Sequence, residues 1–301
     1  ENFGRAAIPV QLPVGAERNF RGVIDLVQMK CYVYEPGGTG KGKEEPVPQE
    51  LAEQARQAQE ALIEMVAEGN DALMEEFFEK GTLPPDRLVE GLRAAVREMR
   101  LFPVLCAGAL QNIGTDKILD FIVDNFPAPN ERGPRTGTLD GQEVERAVSD
   151  EEPVSAFVFK TVADPFAGRV SYFKVFSGVV KNDANLLNVR TGAVERLSHI
   201  GCLFGKTIQP VTELHAGDIG AVAKLKDTLT GDTLADKSSP IRYPAVKLPE
   251  PSIAFAIEAK TRQDEDRMGA ALQKILEEDQ SLRFYRDPQT KEFLLAGSGQ
   301  Q

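Results

Sequence analysis

The spacing of apolar residues changes several times along the chain, and each change marks a new element. Ala7 to Leu12 and Gly22 to Tyr34 read as strands, punctuated by Pro13, Gly15 and Gly22. Gly37-Gly38-Thr39-Gly40-Lys41-Gly42 predicts a flexible loop. Leu51, Ala55, Ala58, Leu62 and Met65 alternate steps of four and three, which makes one apolar stripe of a helix. Pro48 stands near its start, where a missing N–H costs nothing. A short helix around Leu73 to Phe78 ends at Gly81, and Pro85 opens a third helix with Leu88, Leu92, Ala95, Val96 and Met99 inward. Leu101 to Cys106 is a compact apolar run, predicted as a buried strand of an α/β sheet. Thr115 to Phe126 predicts a helix with Ile118, Leu119, Ile122 and Phe126 on one face, stopped by Pro127 and Pro129.

A polar stretch from about Asn130 to Asp150 then reads as a linker. Beyond it the period drops to that of short strands: Val154 to Val162, Val170 to Val180, Asn185 to Val189, Val194 to Ile200 and Ile219 to Leu225. Gly168, Gly178, Gly192, Gly217 and Gly231 separate or flank them, as in a closed or partly open barrel. A last unit starts at Pro249-Glu250-Pro251. It holds a strand at Ile253 to Ala259 and an amphipathic helix through Met268, Ala271, Leu272, Ile275 and Leu276. A hairpin follows, Leu282 to Tyr285 and Phe293 to Ala296, around Asp287-Pro288-Gln289-Thr290. Strand–helix–strand–strand is most of a ferredoxin-like fold.

Composition adds limits. At 301 residues the chain has room for two or three domains. No apolar run approaches the roughly 20 residues of a membrane helix. Cys31, Cys106 and Cys202 form no CxxC pair, and His199 and His215 have no ligand-like spacing, so reduced structural thiols and no metal site are expected. The net charge of −11 argues against wholesale nucleic-acid binding. It is unevenly spread. From Pro153 to Ala245 eleven Lys/Arg face eight Asp/Glu, a net +3, which leaves −14 for the rest. A mildly basic barrel is compatible with one face meeting RNA, but +3 is too small to show it, and a solvated surface is the simpler reading.

No catalytic residue is assigned. Gly201-Cys202-Leu203-Phe204-Gly205-Lys206-Thr207 imitates a Walker A loop with one residue too few between its glycines, and it sits in a β-rich run rather than before a long helix. A barrel loop is the better reading. Lys41 is followed by Gly42 and fails the same pattern.

Four further groups of residues carry a family resemblance. Gln11-Leu12-Pro13-Val14-Gly15 with Phe20-Arg21-Gly22-Val23-Ile24-Asp25-Leu26, continued by Met29-Lys30-Cys31-Tyr32, resembles the insertion subdomain in the GTPase domain of bacterial elongation factor G. Phe102 to Asn112 is similar to the strand and fifth guanine-nucleotide loop of that domain, with Gly108 and Ala109 where the family usually has Ser-Ala. Asp164-Pro165-Phe166-Ala167-Gly168-Arg169, Gly217 to Val222 and Thr230 to Leu234 resemble the turns of its domain II barrel, and Pro249 to Ser298 its domain III.

The resemblance implies a multidomain α+β/β fold. An α/β insertion subdomain (1–100) precedes the last strand and helix of a GTPase sheet (101–130), a linker (131–152), a translation-factor β-barrel (153–245) and a truncated ferredoxin-like domain (249–301). It implies a piece of a cytoplasmic, monomeric, ribosome-dependent GTPase that promotes tRNA/mRNA translocation. GTP or GDP with Mg would be bound by the parent and none held tightly by these residues. Gly108, Ala109 and Leu110 would touch guanine. Arg169, Lys181 and Lys206 would touch small-subunit ribosomal RNA; the acidic helices between Leu51 and Arg100 are read as solvated faces, with docking of the ribosomal stalk protein as the alternative. The alternatives are a non-catalytic ribosome-binding module and a paralogue acting in recycling or release-factor dissociation.

Overall fold

The computed structural model describes residues 4–164, 168–205 and 207–299. They divide into two compact units, Glu1–Pro127 and Ala128–Gln301.

In the first unit β1 (Ala7–Pro9), β2 (Gln11–Val14), β3 (Gly22–Asp25), β4 (Lys30–Val33) and β5 (Lys43–Glu45) precede three helices, α1 (Ala52–Ala67), α2 (Asp71–Lys80) and α3 (Pro85–Arg97). The order β2-β3-β4-β5 is an antiparallel meander. Its inner residues Val14, Ile24, Leu26 and Cys31 pack with Ala55, Leu62, Ile63, Val66, Leu88 and Leu92 of α1 and α3 in one core. The ends of α2 follow from chemistry. Asn70 accepts the Leu73 N–H, and Gly81 adopts φ 70, the left-handed conformation that closes a helix and suits glycine. Pro48 caps a short 3-10 turn, Gln49–Leu51, that leads into α1. Met99, expected inward, lies beyond α3 and is exposed.

β6 (Phe102–Val104) and α4 (Thr115–Asn125) end this unit. Here two expectations need correction. Among the described residues β6 pairs in parallel with β1 alone, and Phe102 and Val104 are exposed rather than buried. On α4, Leu119, Ile122 and Val123 are exposed, as is Phe126 just after it. A parallel strand buries its side chains only when sheet and helices cover both faces. The described residues of this unit leave these flanks in part uncovered.

In the second unit the stretch expected as a linker folds as a hairpin, β7 (Arg135–Leu139) and β8 (Gln142–Arg146). Asp140 and Gly141, both at positive φ, make its turn. Thr138 bridges to Arg242, so the hairpin docks on the segment after the barrel. The barrel strands are β9 (Ser155–Asp164), β10 (Gly168–Ser177), β11 (Val180–Lys181), β12 (Ala184–Asn188), β13 (Val194–Leu197), β14 (Gly201–Phe204), β15 (Thr207–Pro210), β16 (Glu213–Leu214), β17 (Ile219–Ala223) and β18 (Thr233–Ala235). Eight of them form one curled sheet, β13-β12-β18-β9-β10-β17-β14-β15, and β11 pairs with β16. Phe173, Leu197, Ile200, Leu214, Val222 and Leu234 fill its inside. β14 and β15 pair Phe204 with Thr207, which makes the Walker-like stretch a tight hairpin.

The last segment of this unit holds β19 (Ile253–Ile257), α5 (Arg262–Glu278), β20 (Arg283–Arg286) and β21 (Phe293–Gly297), with sheet order β19-β21-β20. The third strand lies between the first two, as a split β-α-β arrangement requires. Only Leu272 of the expected α5 stripe is fully buried, and Ile275 stays exposed.

Candidate functional site

The loop expected to meet guanine is closed on itself. Gly108 N–H donates to the Ile113 carbonyl at 2.9 Å, and Ile113 N–H returns to the Gly108 carbonyl at 3.1 Å. Between them Ala109–Gln111 forms a 3-10 turn, and Leu110 is 99% exposed. The first donors of such a turn have no partner inside it. Ala109 and Leu110 are exposed, while the N–H of Gly108 is spent within the loop. A Cβ at Gly108 would sit 3.1 Å from the Phe20 ring, a tight fit. The glycine here has a packing reason.

Asp116, in the first turn of α4, holds the neighbouring loop. Its carboxylate accepts the Tyr34 hydroxyl at 2.6 Å and the Gly42 N–H at 3.1 Å, so the glycine-rich stretch is anchored at its end. Burial, and then the hydrogen bond to Asp116, pushes the Tyr34 phenol well up from its ordinary range. This tyrosine is a fixed donor. Burial likewise raises the thiols of Cys31 and Cys106, which makes both poor nucleophiles.

Of the three residues expected to touch RNA, Arg169 has another task in the structure. Its guanidinium grips Glu277 of α5 through Nη2 at 2.8 Å and Nε at 3.2 Å, and its Nη1 donates to the Lys226 carbonyl at 3.1 Å. Both side chains of the ion pair are mostly buried. The Ala163 N–H donates to Glu278, and Gln280 Nε2 donates to the Thr230 carbonyl at 3.0 Å. Arg169 is thus part of a clasp between the barrel and α5, a role that spacing in the sequence does not reveal. Lys181 is exposed on β11 and remains open to solvent. Lys206 lies outside the described residues, as do Pro165, Phe166 and Ala167 of the first signature turn.

The other two signature turns are built to be rigid. Gly217 has φ 102, and a Cβ there would meet Pro129 at 2.8 Å. The Asp218 carboxylate accepts the His215 N–H at 2.8 Å. His215 Nδ1 meets Asp150 at 2.7 Å, and that carboxylate raises the imidazole's pKa from its ordinary value. In the Thr230–Thr233 turn, Asp232 is 4% exposed. It accepts from Arg190 Nη2 at 2.8 Å, Asn188 Nδ2 at 2.9 Å and the Leu229 N–H at 2.9 Å. Burial pushes its pKa up, and these donors outweigh that and hold it below the ordinary value. Glu195 completes the network by accepting the N–H groups of Lys226 and Asp227 and the Thr228 hydroxyl. These groups fix loops.

On the helices of the first unit much of the acid is already answered: Arg56 bridges Glu53 and Glu60, and Lys80 and Arg87 both meet Glu76. Exposed pairs of this kind add little stability. No helix among the described residues is long and apolar enough to cross a membrane.

Comparison with known proteins agrees with this architecture. Residues 153–237 match the model of elongation factor G domain 2, and residues 248–301 that of elongation factor G, domain III. A crystal structure of a protein from Thermus thermophilus superposes with a TM-score of 0.79 at 31% identity, over 98% of this chain and 42% of that one. The chain thus spans less than half the length of that relative. Residues 153–237 and 248–301 thus belong to the elongation factor G domain 2 and domain III families.

Proposed function

We propose that the chain serves a ribosome-dependent GTPase that promotes movement of tRNA and mRNA in protein synthesis, working in the cytoplasm as a monomer. The observation that carries this reading is the succession of an elongation factor G domain 2 and domain III along one chain. GTP with Mg would supply the driving phosphoryl chemistry. The fit of this chain to that nucleotide is partial. Ala109 and Leu110, both exposed, are the proposed N–H donors to the acceptor edge of a guanine. No described glycine-rich turn leads from a strand into a helix to cradle phosphates, and the Walker-like stretch is a hairpin. Phosphate and Mg binding would rest on residues other than these. Ribosomal RNA is the proposed partner of the barrel surface, through Lys181 and Lys206, and not through Arg169, which holds α5 in place.

A competition assay tests this reading. Excess chain is added to ribosomes turning over GTP with a complete elongation factor G. Occupation of the same ribosomal surface lowers the hydrolysis rate in proportion to the chain added. An unchanged rate at saturating chain contradicts the proposal. Binding of a fluorescent guanine nucleotide is expected to be weak. Tight binding or hydrolysis by the chain alone would overturn the division of labour between nucleotide site and ribosomal surface.

A further inference from the structure

Along β10 Phe173 and Val175 are fully buried in the core of the curled sheet, so Lys174 and Phe176 lie on its outer face. The segment that leads into β7 crosses this face and is pinned to it at both ends. At its start Pro129 packs on Gly217, where a Cβ would stand 2.8 Å from the proline ring. The Gly217 N–H donates to the Val175 carbonyl at 2.8 Å, and the Val175 N–H to the Asp218 carbonyl at 2.9 Å. At its end the Arg135 guanidinium lies over the Phe176 ring, 5.3 Å from its centroid. Arg132 stands midway between these pins, at the end of the short 3-10 turn Pro129–Arg132. Arg132, Arg135 and Lys174 are therefore gathered over one stretch of β10.

Among the described residues no carboxylate is paired with any of the three. The acids that adjoin the segment are turned elsewhere. Glu131 accepts the Ala128 N–H at 2.7 Å, and Asp218 accepts the His215 N–H at 2.8 Å. Arg135 Nε is buried without a hydrogen-bond partner. Burial, and then the charges of Arg135 and Arg132, hold the half-buried Lys174 ammonium below its ordinary pKa. Like charges gathered in this way repel, and burial removes water that would screen them. An anion set between them turns that repulsion into attraction. Two planar guanidinium groups and an ammonium donate from several directions, which suits the tetrahedral oxygens of a phosphate better than one flat carboxylate.

We propose that Arg132, Arg135 and Lys174 form a binding site for a phosphoryl group, supplied by free phosphate or by the backbone of an RNA. The site lies wholly in the second unit and does not depend on a ribosomal role for the chain.

Two probes separate the sources: inorganic phosphate followed by calorimetry, and a single-stranded RNA followed by fluorescence anisotropy. Lys174→Gln and Arg132→Gln should each weaken saturable binding by roughly tenfold, the loss of one charge-assisted bond, while Lys174→Arg keeps it. Lys174→Gln removes one of three repelling charges, so without anion it should melt no lower than the parent. The bound probe should raise the melting temperature of the parent and not of Lys174→Gln. Carbon NMR of the Lys174 side chain should show its titration move to higher pH with the probe present, because a neighbouring anion favours the ammonium. Binding of phosphate without RNA marks a free-phosphate site, and binding of RNA that Lys174→Gln weakens marks an RNA backbone. Failure of both probes to saturate overturns the proposal. So does binding that Lys174→Gln and Arg132→Gln leave unchanged, or a Lys174 titration that neither probe moves.

Discussion

Asp232 keeps its charge inside the barrel wall because Arg190, Asn188 and the Leu229 N–H all donate to it. Replacing it with alanine strands those donors and should cost on the order of 2 kcal/mol, since bonds to a charged acceptor are worth about 1.5–3. Urea unfolding of Asp232→Ala at neutral pH should show a lower midpoint with an unchanged slope. The pH dependence has a definite sign. The folded pKa lies below the unfolded one, so the stabilisation is present above about pH 4 and drains away as pH falls through the folded value. Asp232→Asn should flatten that acid limb, and an acid limb identical to the parent's would show that the network contributes nothing. The sequence displays Thr230-Gly231-Asp232-Thr233 as a tight turn. It does not display Asn188 and Arg190, because they sit more than 40 positions away and reach Asp232 only once the sheet has curled.

Among the elements, α5 is the one whose placement depends on a few identifiable contacts. Arg169 and Gln280 tie its C-terminal half to the barrel. Arg169→Ala should free that half, so hydrogen exchange at the amides of the last two turns of α5 should quicken while the barrel core strands stay protected. If Arg169 instead met RNA, the substitution would leave those amides unchanged and reduce the salt dependence of ribosome binding. Helix positions were largely legible from periodicity, and Gly81 marked a real terminus, because local rules of capping and stripe spacing act within a few residues. Burial was less legible. Phe102, Val104 and the Leu119–Phe126 face read as core because they are apolar, yet the described residues of their unit leave much of that surface uncovered. The β7–β8 hairpin was hidden by its polar composition, although Asp140-Gly141 is a turn pair with a hairpin signature.

For the whole molecule, the run of short strands that becomes the curled sheet was readable from turns and strand spacing, whereas the grouping into two compact units depends on long-range contacts that no local pattern records. Of the candidate site, the sequence singled out the loop at Gly108 to Leu110, and the structure shows that the Gly108 N–H is spent closing that loop, a pairing that no local pattern records. Charge distribution belongs to this scale as well. A chain of net −11 must bring a local basic surface to any RNA it meets, against a background that repels phosphate. Binding of that kind is modest in strength and sensitive to salt. Co-sedimentation of the chain with intact ribosomes at about 50 and 200 mM salt is therefore the most direct measurement. Saturable binding at the lower salt that weakens by roughly tenfold or more at the higher, and weakens further in Lys181→Glu, is the predicted result. Absence of saturable binding at both salt concentrations, or binding indifferent to salt, would contradict a ribosomal role.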